Sequence, residues 1–263
     1  MNTKLPLAAY VATVCLILQT TANAHDIVLV PEANQIRVRL GHPGDWQTVD
    51  KERLLELTVI GDPSKAIDIQ ANLKRQGLDF VVPLKATLAS KANMTAARYD
   101  NGLWVEVVTA GQAKPEWRNS SRFMTPQAKE VMASVKFAKS YSGSAKDDSV
   151  FSTKAGHLLE LIPQANPYGL KVGQTLPVLV LFNGQPLAQA KIEVSNLKDK
   201  LPEDKIPRYI TDTKGVAQVP LRANGINTLA VDLKKPKDAS FGPGGLALPV
   251  ENILMVATYT FVR

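Results

Sequence analysis

Short apolar runs broken at close intervals by Gly, Pro, Asn and Asp constrain this chain most, because such punctuation suits strands and leaves little room for long helices. Gln35-Ile36-Arg37-Val38-Arg39-Leu40 alternates strictly, so Ile36, Val38 and Leu40 share one face. Ile27 to Val30 forms a further apolar run stopped by Pro31, and Gly41-His42-Pro43-Gly44 turns the chain. Leu55 to Ile60 and Phe80 to Leu84 are two more strands. Asp100-Asn101-Gly102 reads as a hairpin turn joining Ala96-Ala97-Arg98-Tyr99 to Leu103 through Val108.

One stretch reads differently. Thr125 is placed to cap and Pro126 suits a first helical position, and Ala128, Val131, Met132, Val135 and Ala138 follow at helical spacing until Tyr141-Ser142-Gly143. That helix would put Lys129, Lys136 and Lys139 on its wetter sides. The polar residues from Ser142 to Lys154 then read as a linker. Seven strands follow: Leu158 to Ile162, Leu176 to Phe182, Lys191 to Ser195, Tyr209 to Thr211, Ala217 to Leu221, Leu229 to Leu233 and Leu254 to Val262. Asn183-Gly184, Thr213-Lys214-Gly215 and Asn224-Gly225 supply turns, and Gly242-Pro243-Gly244-Gly245 reads as an inserted loop. The expected fold is mainly β, with two immunoglobulin-like β-sandwich domains and one helix before the linker. The expected boundaries are 1–24 for a leader, 25–142, a linker at 143–154, and 155–263.

Cys15 is the single cysteine and lies within the expected leader, so stability must come from apolar burial without a disulfide. Lys4, the apolar run Leu5 to Leu18, and the small residues Ala22 and Ala24 have the order of a secretory signal peptide. Without Lys4 the chain keeps thirty basic side chains against twenty-four acidic ones, spread without runs, which argues against nucleic-acid binding. No later segment is apolar enough for a membrane span. Nucleotide-binding glycine patterns, a G-x-S-x-G elbow and an H-E-x-x-H zinc motif are all absent from the sequence.

Cleavage after Ala24 would make His25 the first residue, with an α-amine and a ring Nδ1 able to chelate one ion. His42 and His157 complete the histidine inventory, and together the three are the candidate metal ligands. Amine and imidazole nitrogens suit copper, nickel and zinc. Asp26, Glu32, Asp45 and Asp50 are weaker oxygen candidates, and Asp212 sits where a turn wants a side-chain acceptor. Met94, Met124, Met132 and Met255 read as packing residues, as does Trp104, whereas Trp46 and Trp117 are candidates for a ligand surface.

From Ala155 to Asn196 the chain resembles an exported bacterial family of unknown function that is labelled as a nickel-uptake substrate-specific region. The resemblance rests on Gly156, Leu159, Glu160, Leu161, Pro163, Asn166, Pro167, Gly173, Gly184, Pro186, Leu187 and Ala190. Thr211, Asp212 and Gly215 match its T-D-x-x-G turn, Ala24 through Pro31 is similar to its mature start, and Phe137-Ala138-Lys139 resembles its helix before the linker. The chain departs at Ile27, where such relatives usually carry an aromatic. The resemblance implies a periplasmic protein handling nickel or cobalt, with capture or delivery to separate membrane transport components. The combined expectation is a periplasmic nickel-, cobalt- or copper-binding protein that is not an enzyme. The alternatives are a tandem β-sandwich adhesion module and, less favoured, a copper-dependent oxidase built on a histidine brace.

Overall fold

The computed structural model describes residues 26–263, apart from 63–64, 90, 110, 112–114, 145, 147–148, 199 and 238–249. The leader, His25 and the glycine-rich loop at 242–245 therefore lie outside the described residues. The strands are β1 (Ile27–Glu32), β2 (Gln35–His42), β3 (Asp45–Gln47), β4 (Leu54–Asp62), β5 (Lys65–Asp68), β6 (Lys74–Gln76), β7 (Asp79–Pro83), β8 (Asn93–Val107), β9 (Glu116–Asn119) and β10 (Glu130–Ser142). They continue as β11 (Leu159–Pro163), β12 (Thr175–Phe182), β13 (Gln185–Pro186), β14 (Lys191–Asn196), β15 (Arg208–Ile210), β16 (Val216–Pro220), β17 (Ile226–Pro236) and β18 (Asn252–Val262). One short helix, α1 (Ala86–Ala89), separates β7 from β8.

The fold is mainly β and sandwich-like, built in three layers. A central nine-stranded sheet runs β15-β14-β17-β18-β10-β8-β4-β5, with β9 added beside β8. One outer sheet holds β1, β2, β3, β6 and β7, and the other β11, β12, β13 and β16. The two outer sheets cover opposite faces of the centre. Ala138 of β10 packs with Ile36 and Val38 of β2, while Phe137 and Tyr141 of the same strand pack with Leu161, Val178 and Val219 of the other outer sheet.

This arrangement changes the reading of residues 125–141. They form no helix; from Glu130 onward they are β10, buried almost throughout on both faces. A strand covered on both sides loses its period of two, and apolar residues on both faces of it then also satisfy helical spacing. The lysines reveal the difference. Lys136 and Lys139 are 0 % and 2 % exposed and point to opposite faces of the sheet, instead of sharing a wet helical side. Phe137-Ala138-Lys139 is likewise strand.

Asp100-Asn101-Gly102 does not turn a hairpin. β8 runs straight through it as fifteen residues, and the extra residue is absorbed as a bulge, with Asp100 opposite Val135 and Gly102 opposite Ser134. Gly102 takes φ +79°, and a Cβ there would lie 2.7 Å from the Arg53 guanidinium. The carbonyl of Asn101, released from the ladder, accepts from the Trp104 indole at 3.0 Å and from the Asn119 amide at 3.3 Å. The Asn183-Gly184 turn does form, with both residues at positive φ between β12 and β13.

The halves expected at 25–142 and 155–263 share the central sheet, because β10 and β18 pair in parallel from Met132–Asn252 to Tyr141–Phe261. The end of the expected linker is also packed. Phe151 is buried and its carbonyl accepts from the Tyr259 hydroxyl at 3.0 Å. The Lys139 ammonium donates to the Thr153 carbonyl and to Glu160, each at 2.8 Å, and Glu160 also accepts from the Ala155 N–H at 2.6 Å. This ion pair, 2 % and 3 % exposed, bolts β10 to β11.

Two outcomes follow. Chains ending at 142 or starting at 155 expose one side of the β10–β18 ladder, so neither fragment should unfold cooperatively, and the mature chain should show one calorimetric transition; two separable transitions would contradict this. Lys139→Ala leaves the Glu160 carboxylate buried without its cation and should cost about 3–5 kcal/mol in urea unfolding.

Candidate functional site

Two groups of polar residues stand out, one on each face of the central sheet. The first surrounds the start of β1. The Gly41 N–H donates to the Asp26 carbonyl at 2.8 Å, continuing the β1–β2 ladder one pair beyond Ile27–Leu40. The Thr258 hydroxyl donates to the Ile27 carbonyl at 2.8 Å, fixing the same end of β1 to β18. Lys136 lies beneath it, fully buried, and its Nζ has no hydrogen-bond partner among the described residues.

The electrostatics here are unusual. Asp26 keeps some accessible surface, yet close packing around it pushes its carboxyl up to about 7, against the opposing pull of Lys136, with Glu193 and Asp232 adding repulsion. Burial brings the Lys136 ammonium down to about 8, opposed by Asp26. The Lys136, Val256 and Asp232 positions align across three neighbouring strands, which puts Asp232 on the same face as the lysine. His42 is the last residue of β2 and pairs in register with Asp45 of β3, so the turn itself is confined to Pro43-Gly44.

His157 is on the other face. It precedes β11, is 7 % exposed, and stacks at a tilt on Phe137 with ring centroids 5.1 Å apart. It lines a cleft of about 470 Å³ between the central sheet and the outer sheet of β11 and β12, shared with Glu56, Arg98, Lys154, Asn183 and Met255. Burial first, then Lys139 and Arg98, push the imidazole down to about 3. Nε2 has no partner among the described residues.

His42 and His157 thus lie on opposite faces of the nine-stranded sheet, and the structure does not bring them together. Among the described residues no three His, Cys, Asp or Glu side chains are grouped to hold a metal ion. Burial and the positive charges of Lys139 and Arg98 keep the His157 ring in its neutral form. The weaker candidates have structural employment: Glu32 accepts from Arg37 at 2.6 Å, Asp50 accepts from the Glu52 N–H at 3.0 Å, and Asp212 accepts from the Lys214 and Val216 N–H groups at 2.8 and 2.9 Å. Met94, Met132 and Met255 are packed in the core, but Met124 is 73 % exposed. Trp46 carries the Arg39 guanidinium 3.7 Å above its ring centroid. Lys136, Arg98 and Glu56 were invisible as site residues in the sequence, because register alone, and no motif, gives them their neighbours.

The sequence pattern of the family described as "Domain of unknown function (DUF4198)" matches residues 22–235, and the chain belongs to that family. No curated protein matches the chain. Among the described residues no helix is long and apolar enough to cross a membrane.

The displaced titration of His157 has a sign that can be tested. In the unfolded chain the ring takes a proton near its ordinary value of 6.5, whereas in the folded protein it stays neutral down to about 3. The unfolded state therefore binds more protons between those limits, and stability falls as pH drops through that window. The contribution approaches about 1.4 kcal/mol per pH unit. His157→Phe, which keeps an aromatic ring against Phe137, should flatten the pH dependence of the urea-unfolding free energy by about that slope; an unchanged slope would show that the ring is protonated in the fold.

Proposed function

We propose that this is an exported periplasmic protein that binds a transition-metal ion, nickel, cobalt or copper, through His25 and His42, and serves its capture or delivery without catalysing a reaction. The observation that carries the reading is the end of the β1–β2 ladder. Its last hydrogen bond joins Gly41 to Asp26. In sequence, His42 directly follows Gly41 and His25 directly precedes Asp26. An N-terminal histidine contributes two nitrogens and His42 a third, a donor set that suits divalent copper or nickel. The Asp26 carboxyl adjoins this end of the ladder and could neutralise part of the ion's charge.

His157 has no part in this reading, since it stacks on Phe137 across the central sheet, under the influence of Lys139 and Arg98. Transport itself would fall to separate membrane components, which receive the ion from this protein.

The test is calorimetric titration of Cu(II) and Ni(II) into the untagged mature protein whose first residue is verified as His25 by mass spectrometry. His25→Ala and His42→Ala should each lose more than the ~10–100-fold typical of a lost outer-shell partner. His157→Ala should bind as the parent does. Affinity should fall with pH as protons compete for the amine and imidazoles. Parent-like binding by His42→Ala, or by a chain retaining Ala24, would overturn the proposal.

A further inference from the structure

The cleft beside His157 is separate from the ladder end and has a chemistry of its own. Its floor is the central sheet. Glu56, Arg98 and Phe137 are consecutive partners across β4, β8 and β10, so they stand in one row on the same face. Val135 and Met255 form the next row, across β10 and β18. The opposite wall is the segment Lys154 to Leu158 with the Asn183-Gly184 turn.

That wall is held in place. Lys139 takes the Thr153 carbonyl, Glu160 takes the Ala155 N–H, and the Asn183 N–H donates to the Leu158 carbonyl at 2.7 Å. The cleft is therefore formed before any ligand arrives, which spares a ligand the entropy of ordering it.

Its polarity is graded. Phe137, Ile253 and Met255 are buried and apolar, His157 is 93 % buried with an unpartnered Nε2, and Arg98 and Lys154 are exposed at the mouth. Arg98 lines the cleft and makes no hydrogen bond or ion pair among the described residues, not even with Glu56, its partner across the β4–β8 ladder, so its N–H donors are open to a ligand. Glu160 cannot compete for it, being paired with Lys139 inside the protein. A planar guanidinium at the rim of an apolar slot suits a carboxylate bonded through both oxygens. An aromatic wall beyond it, with one unsatisfied imidazole nitrogen, suits a flat apolar body with a polar edge. The volume of about 470 Å³ lies within the range of small-molecule sites.

We infer that this cleft binds a small arylalkyl carboxylate, its carboxylate on Arg98 at the mouth and its ring turned toward Phe137 and His157. The inference does not rest on the metal reading, and the two sites lie on opposite faces of the sheet.

The test uses 3-phenylpropionate and its neutral amide, titrated into the metal-free mature protein and followed by nitrogen-15 spectra of the histidine rings. The acid should bind and shift the His157 ring resonances. The amide should bind about ten- to a hundredfold more weakly, the range expected for losing a hydrogen bond to a charged group. Arg98→Gln, a change at an exposed position, should lose the acid's advantage over the amide, and Arg98→Lys should retain part of it. His42→Ala should bind the acid as the parent does. Equal binding of acid and amide, an unshifted His157, or parent-like behaviour of Arg98→Gln would each overturn the inference, as would the absence of binding by the acid at about 10 mM, a concentration equivalent to only ~3 kcal/mol of affinity.

Discussion

The parallel ladder between β10 and β18 is the constraint on which the rest of the molecule depends. Parallel neighbours cannot be joined by a tight turn and require a crossover. Here that crossover is the whole second half of the chain, from the end of β10 through β11 to β17. The last strand therefore completes the sheet begun by the first half. Both members of the pair are buried on both faces, so each outer sheet packs on a floor that neither half of the sequence supplies alone. Most contacts that define the centre span a large separation along the chain, a topology expected to fold slowly and to leave edges open until β18 arrives.

The same burial decided which strands were legible. β2 and β14 have one buried face and a clean alternation, and both are readable from residues 35–40 and 191–195. β10 has no polar face, so its pattern fits a helix as well as a strand, and the tie was broken by Thr125 and Pro126, which serve only a turn before it. Asp100-Asn101-Gly102 failed for another reason. The residue types report that the backbone departs from regular strand geometry, which it does, but not whether it reverses or bulges. The Ser134 hydroxyl accepting from the Asn101 amide at 3.2 Å, and the indole of Trp104 at the Asn101 carbonyl, stabilise the bulge, and neither partner can be inferred from local sequence.

The histidines show where residue type stops being informative. His42 and His157 look equivalent in sequence, each beside a glycine at the margin of a strand. In the fold they differ by the whole thickness of the central sheet. His42 ends a strand whose neighbouring ladder closes on Asp26, next to a face that carries Asp232. His157 is stacked on Phe137, buried and under the influence of Lys139 and Arg98, so its ring stays neutral.

That contrast follows from two lysines set three residues apart. In a helix, positions 136 and 139 would share a side; in a strand, the odd spacing sends them to opposite faces. Lys139 faces β11 and is neutralised by Glu160, which fixes the segment before β11 and so builds one wall of the cleft. Lys136 faces β1 without a hydrogen-bond partner, and the carboxyl nearest in effect is that of Asp26. A buried, unpaired ammonium is costly, and negative charge held at the start of β1 offsets part of that cost. The strand geometry of β10 thus makes the position of Asp26, at the start of β1, matter to the buried centre of the fold.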